Sequence, residues 1–348
     1  MSSDEWKETE KNMKRKITVF TLWAMLLAFC SPAQAQQAKN IPRIGYLSRD
    51  IHPSDSRAPS PRNLAAFRQG LRDLGYIEGK NIIIEYRYSD GRNERTPALA
   101  EELVRLKVDV IVADSYLAAR DAKKVSATIP IVTTSGADPI ATGLAASLAR
   151  PGGNVTGLTS LTPQLLGKRL ELLKEVVPKV SRFALLSDAA TGPEVTLSML
   201  PDAQVAAQAL GVKLQRIEVK TPDPDLEGAF RVIVKERIGA LITGSGGLGS
   251  SLHRKKILEL VEQNRMPAIY PAVVWTDAGG LMYYGANIPD LYRRAATFVD
   301  KILKGAKPAD LPVEQPMKFD FGINLKAAKQ IGLTIPPNVL ARADKIIK

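Results

Sequence analysis

Short hydroxyl and acidic side chains stand directly behind apolar runs throughout this 348-residue sequence. Ser48 follows 43–47 (RIGYL), Ser115 and Tyr116 follow 108–113 (VDVIVA), and Thr134, Ser135 and Asp138 follow 129–133 (IPIVT). Thr159 and Ser160 close 155–159 (VTGLT), Asp188 follows 182–187 (RFALLS), and Gln164 opens a helical stretch beyond Ser160. Groups so placed orient a small ligand by hydrogen bonds, and Asp138 and Asp188 can pair with a ligand ammonium. Singly, each also suits a helix cap or a turn; gathered together they make a site. Tyr46, Tyr116, Tyr270, Trp275, Tyr283 and Tyr284 supply aromatic surface at similar positions, the flat wall that sandwiches an apolar or aromatic ligand. Tyr46 and Tyr270 stand foremost, whereas Tyr283 and Tyr284 alternate faces, so at least one of them is core.

Residues 244–249 (GSGGLG) satisfy GxGxxG, but the next strand ends in Tyr270 where a dinucleotide fold carries an acid, so dinucleotide binding is rejected. Two readings of the loop stay open: N–H groups and the Ser245 hydroxyl receiving an anionic ligand group at a helix N-terminus, or a flexible turn. Ser245 is no hydrolase nucleophile, because GxSxG fails at Thr243 and His253 has no orienting acid. The two histidines, His52 and His253, are far apart and the one cysteine is Cys30, so no thiolate or histidine-rich metal centre is expected. The sequence implies no catalytic group and no cofactor. The net charge is +12, yet no long Lys/Arg run exists, which describes a solvated basic surface better than a nucleic-acid footprint.

The elements that must carry these residues alternate along the chain. Apolar runs at 43–47, 81–86, 108–113, 129–133, 155–159, 182–187, 213–219, 238–243, 267–270 and 280–284 read as strands, and most are continuously apolar, as parallel strands covered on both faces are. Helical spacing fills 63–74, 97–106, 163–177, 195–210, 224–235, 250–264 and 288–303. This is a doubly wound α/β pattern. Pro151, Gly152, Gly153 and Asn154 break it into two halves, and 305–316 (GAKPADLPVEQP) breaks it again. Open α/β sheets bind ligands beyond the carboxyl ends of their strands, so two facing sheets would share one cleft.

The first 35 residues read as a leader: Lys14, Arg15 and Lys16, then the uncharged run 17–30, then Ala33-Gln34-Ala35 as a cleavage signal. The run is shorter than the roughly 20 residues that span a bilayer. Cleavage after Ala35 is expected over lipidation at Cys30, where Phe29 is bulky, and the leader starts at Met1 or at Met13. A thiol-free mature chain suits the periplasm.

At 43–47, 75–86 (GYIEGKNIIIEY), 103–113, 129–132, Asp138-Pro139, 147–158 (SLARPGGNVTGL), 278–285 (AGGLMYYG), 299–316 and 323–337 the sequence resembles the substrate-binding proteins of ABC transporters, in the branch with tryptophan- and tyrosine-binding members. The resemblance implies two Rossmann-like lobes of the type I periplasmic binding fold, with a three-segment hinge near Asn154, Gly285 and Pro312. The N-terminal lobe would be 41–154 with 286–312, and the C-terminal lobe 155–285 with 313–348. It also implies a non-catalytic function: capture of a small molecule, an amino acid or aromatic amino-acid-like compound, by hinge closure in the interlobe cleft. The partners would be the ligand and the permease with its ATPase, with no nucleic acid and with membrane contact only through the transporter. Two loops depart from the family pattern, Ser187-Asp188-Ala189-Ala190 and 244–251 (GSGGLGSS), which bears on ligand identity. A receptor ectodomain and an enzyme on the same scaffold are the alternatives.

Overall fold

The computed structural model describes residues 6, 41–49, 52, 62–160, 164–244 and 246–348. The predicted leader apart from residue 6, with its cleavage signal and Cys30, lies outside the described residues, as does Ser245. Among the described residues no helix is long and apolar enough to cross a membrane.

From Pro42 onward the chain builds two sheets. The first contains β1 (Arg43–Ser48), β2 (Ile83–Tyr88), β3 (Val110–Ala113), β4 (Ile131–Thr133) and β5 (Val155–Gly157), in the order β2-β1-β3-β4-β5 and all parallel. Its crossovers carry α1 (Arg62–Asp73), α2 (Thr96–Arg105) and α3 (Tyr116–Val125). All four residues of β3 (VIVA) are buried, as expected of a central strand with helices on both faces. Ser115 caps α3, its hydroxyl accepting from Ala118 N at 3.3 Å, which starts a helix directly behind the strand end.

The chain then forms α4 (Gln164–Val176), β6 (Arg182–Asp188), α5 (Pro193–Ala209), β7 (Lys213–Val219), α6 (Leu226–Lys235), β8 (Ala240–Thr243), α7 (Ser251–Gln263), β9 (Ala268–Tyr270), α8 (Val273–Asp277) and β10 (Met282–Ala286). The order β7-β6-β8-β9-β10 repeats the winding of the first sheet. Helix α9 (Ile288–Leu303) returns to the first lobe and packs on α1, where a Cβ on Gly70 would fall 2.4 Å from Arg293 O, so only glycine allows that approach. β11 (Phe319–Asn324), antiparallel to β10, then α10 (Leu325–Gln330), α11 (Pro337–Leu340) and β12 (Lys345–Ile347) complete the second lobe.

Three segments join the lobes. Leu158 bridges Glu314, with Thr159 N donating to Glu314 O (3.0 Å) and Glu314 N to Gly157 O (2.9 Å), so two crossovers run side by side. The third passes Ala286 and Asn287, where Asn287 N donates to Lys318 O at 2.9 Å. The first crossing therefore falls after Gly157 rather than near Asn154: residues 155–157, assigned to the second lobe from sequence, pair with β4 in the first. One ion pair, Arg62 Nη1 to Asp277 Oδ2 at 3.1 Å, ties α1 of the first lobe to α8 of the second.

Candidate ligand-binding cleft

Strand order reverses between β1 and β3 in the first sheet and between β6 and β8 in the second. Both reversals open toward one cleft of about 830 Å³, lined from both lobes, at the carboxyl ends of the strands. Apolar side chains dominate its walls: Tyr116, Val195, Leu200, Val274, Trp275 and Tyr292.

Six of the ligand candidates singled out in the sequence line it: Ser115, Tyr116, Ser135, Ser160, Asp188 and Trp275. Most of their polar atoms already serve the protein. Ser135 Oγ donates to Asp114 O (3.2 Å) and Ser160 Oγ to Gly136 O (2.9 Å), which fixes the loop behind β4. Asp188, 2 % exposed, accepts four hydrogen bonds, from Ala190 N (3.0 Å) and Thr221 N (3.1 Å) on Oδ1 and from Thr221 Oγ1 (2.9 Å) and Gly247 N (2.9 Å) on Oδ2. It clamps the loops behind β6, β7 and β8 together. That use also accounts for Gly247, because a Cβ there would fall 2.5 Å from Thr221 Oγ1. The Gly247 N–H is spent on Asp188, and the His253 ring adds contacts of 2.9 Å to Gly247 O and 3.0 Å to Pro222 O.

The other candidates whose side chains are described do not line the cleft. Tyr46 is buried among the rings of Phe67, Tyr86 and Tyr88, because alternation along β1 turns it toward α1. Tyr270 is fully buried and stacks on Trp275, centroids 4.6 Å apart, so the tryptophan faces the cleft and the tyrosine backs it. Ser48 is buried and donates to Asp114 Oδ2 at 2.5 Å. Thr134 is buried beneath its strand end, and the Thr159 hydroxyl donates to Gly136 O at 3.2 Å. Asp138 caps a turn through Ile140 N (2.8 Å) and Ala141 N (3.3 Å). Gln164 is the first residue of α4, and its side chain lies outside the described residues.

Several charged residues that sequence reasoning passed over also line the cleft, and among them Asp114 and Arg169 are buried. Asp114 follows β3; its Oδ2 accepts from Ser48 Oγ and from Arg49 N (3.0 Å), while Oδ1 is buried without a partner among the described residues. Burial pushes its carboxyl up, against the pull of those hydrogen bonds. Arg169, on α4 and 1 % exposed, donates from Nε to Tyr284 O (2.7 Å), and its Nη1 is buried without a partner among the described residues. Burial pushes this guanidinium down to about 10, so it stays cationic at neutral pH. The sequence did carry a signal for Arg169, which stands in the apolar stripe of Leu165, Leu166, Leu170 and Leu173 at helical spacing.

Two doubly wound lobes sharing a cleft across three crossovers define the type I periplasmic-binding architecture. The sequence matches the ABC transporter substrate binding protein family over residues 61–347, and the chain belongs to that family. Substrate-binding proteins of ABC transporters are extracytoplasmic solute-binding components. A tyrosine-binding protein of Clostridioides difficile is 24% identical over 336 residues, 93% of each chain. A crystal structure from Streptococcus pneumonia, solved with L-Trp, superposes with a TM-score of 0.79 at 24% identity, covering 88% of this chain and 99% of that one. A conserved domain protein of Vibrio cholerae gives 0.77 at 28% identity, with the same coverage.

Proposed function

We propose that this protein captures a small amino acid or aromatic amino-acid-like solute in the periplasm and presents it, unaltered, to a permease with its ATPase. The leader ending at Ala35 would deliver it there, and the lobes would close on the solute by bending at the three crossovers. Transporter recognition of the closed form follows if the solute shifts the open–closed population. The observation that carries this reading is the single cleft lined by the strand ends of both lobes, which a solute can bridge. The tyrosine-binding relative and the L-Trp complex support the ligand class, and the apolar walls around Trp275 and Tyr116 suit it.

The test begins with mass spectrometry of small molecules released by denaturing the purified protein. Each released compound is then returned to ligand-free protein, with thermal unfolding and solution scattering as readouts. A raised melting temperature with a smaller radius of gyration is expected. Chemical conversion of the compound, or a molecule that neither compacts nor gains stability with any of them, overturns the reading.

A further inference from the structure

An arginine buried in a protein interior ordinarily has a carboxylate or a full set of carbonyl partners, since an unpaired buried charge is costly. Arg169 has one hydrogen bond, Nε to Tyr284 O, and no ion pair among the described residues. Its surroundings are apolar on the helix side, where Leu166, Leu170 and Leu173 are fully buried. On the other side it lines the cleft, beside the last residues of β10, where the chain passes into the hinge. Asp188, which lines the same cleft, has its oxygens filled by Ala190, Thr221 and Gly247. The protein thus holds a cationic fork lining a largely apolar cleft, and no described residue forms an ion pair with it.

We propose that Arg169 anchors a carboxylate of the captured solute, so that the cleft selects small organic acids, amino acids among them, over their amides and decarboxylated counterparts. The proposal rests on the capture reading above. A planar guanidinium matches a carboxylate through two parallel N–H···O bonds, and binding there supplies the missing counter-charge in a desolvated place. The anion is a monoanion rather than a phosphate: the glycine loop that would cradle a phosphate has its Gly247 N–H committed to Asp188. Because the same guanidinium holds Tyr284 O, the anion would sit against the strand that leads into the crossover at Ala286 and Asn287.

The test uses benzoate as the probe, with benzamide and inorganic phosphate at matched ionic strength. The readouts are thermal unfolding and the fluorescence of Trp275, the one tryptophan beyond the predicted leader. Benzoate is expected to stabilise the wild type, and the other two are not. In R169M benzoate affinity should fall about thirty-fold or more, the loss expected when one member of a desolvated charge pair is removed. The ligand-free R169M protein should melt no lower than wild type, because the change removes an uncompensated buried charge. R169K, which keeps the charge and loses the fork, should bind benzoate between the two. Benzamide matching benzoate, phosphate matching benzoate, a wild type indifferent to benzoate, or R169M binding it within three-fold of wild type each overturn the anchor. A ligand-free R169M that melts well below wild type while keeping benzoate affinity marks Arg169 as a structural brace and does the same. Should R169M not fold, the wild-type comparison of benzoate with benzamide decides. Capture itself is judged separately, by whether the natively released solute compacts the wild-type protein.

Discussion

Replacing Asp188 by alanine removes one carboxylate that holds three loops, and the size of the effect can be worked from its bonds. Four donors converge on it: Ala190 N, Thr221 N, Thr221 Oγ1 and Gly247 N, at 2.9–3.1 Å. A hydrogen bond to a charged group contributes about 1.5–3 kcal/mol. The Ala190 N–H can turn to water and the Thr221 hydroxyl can rotate, so the Thr221 and Gly247 amides set the cost. D188A should therefore lose about 3–5 kcal/mol. At about 2–4 °C per kcal/mol for a domain of this size, the melting temperature should fall roughly 10 °C by calorimetry. D188N distinguishes a clamp from a mere space-filler. Its oxygen can keep Ala190 N and Thr221 N, its amide can donate to Thr221 Oγ1, and only Gly247 N is left facing a donor, at a loss of about 1–3 kcal/mol. Ligand binding should weaken in both variants, since Thr221, Gly246 and Gly247 line the cleft. A D188A loss under about 1 kcal/mol, or D188N melting no higher than D188A, refutes the reasoning.

Two further outcomes follow from the same geometry. In the folded protein burial raises the Asp114 carboxyl, so its ionisation works against folding, and that cost grows as pH rises through the raised value. D114N keeps acceptance from Ser48 Oγ and Arg49 N but cannot ionise, so its melting temperature relative to wild type should climb from pH 4 to pH 8 in calorimetry; a difference that shrinks across that range contradicts the assignment. Tyr46→Ala should cost about 3–5 kcal/mol in urea denaturation, the range for emptying a buried aromatic site, while leaving the Trp275 response of the folded protein to its solute unchanged, because Tyr46 packs on Phe67 and lines no part of the cleft.

The architecture was legible because its signal is local. Continuous apolar runs and helical spacing place β1 to β10 and most of their crossover helices to within a few residues, although α3 and α8 were not foreseen, and the resemblance supplies the two lobes and three crossings. β11 and β12 escaped because FDFGIN carries Asp320 and Gly322 within the strand and the final strand is three residues long. The first crossing was misplaced because Pro151, Gly152 and Gly153 punctuate a turn inside the first lobe, before its last strand. The site was less legible because its partnerships are distant: Asp188 reads as a free acid until Thr221, 33 positions on, and Gly247, 59 positions on, are brought to it.

That contrast says where ligand chemistry should be sought in such a fold. Hydroxyls and acids behind parallel strands are abundant because strand ends and helix starts need them. Here Ser48 serves Asp114, Ser115 caps α3, Thr159 and Ser160 hold Gly136, and Asp138 caps its own turn. A polar side chain at a strand end is thus weak evidence for a ligand until its bonds are counted. What survives the count in the cleft lining is the Ser187 hydroxyl and two ionisable groups, Arg169 Nη1 in the second lobe and Asp114 Oδ1 in the first, each buried and unpartnered among the described residues. It is the arginine and the aspartate that can carry charge. Both residues line the same cleft, and they carry opposite charge when Asp114 is ionised. A solute presenting a carboxylate toward one and a donor toward the other would complete both sets of bonds at once. Closure around it would then draw its driving force from charges that the empty protein keeps desolvated, and so from the solute that matches them rather than from apolar contact alone.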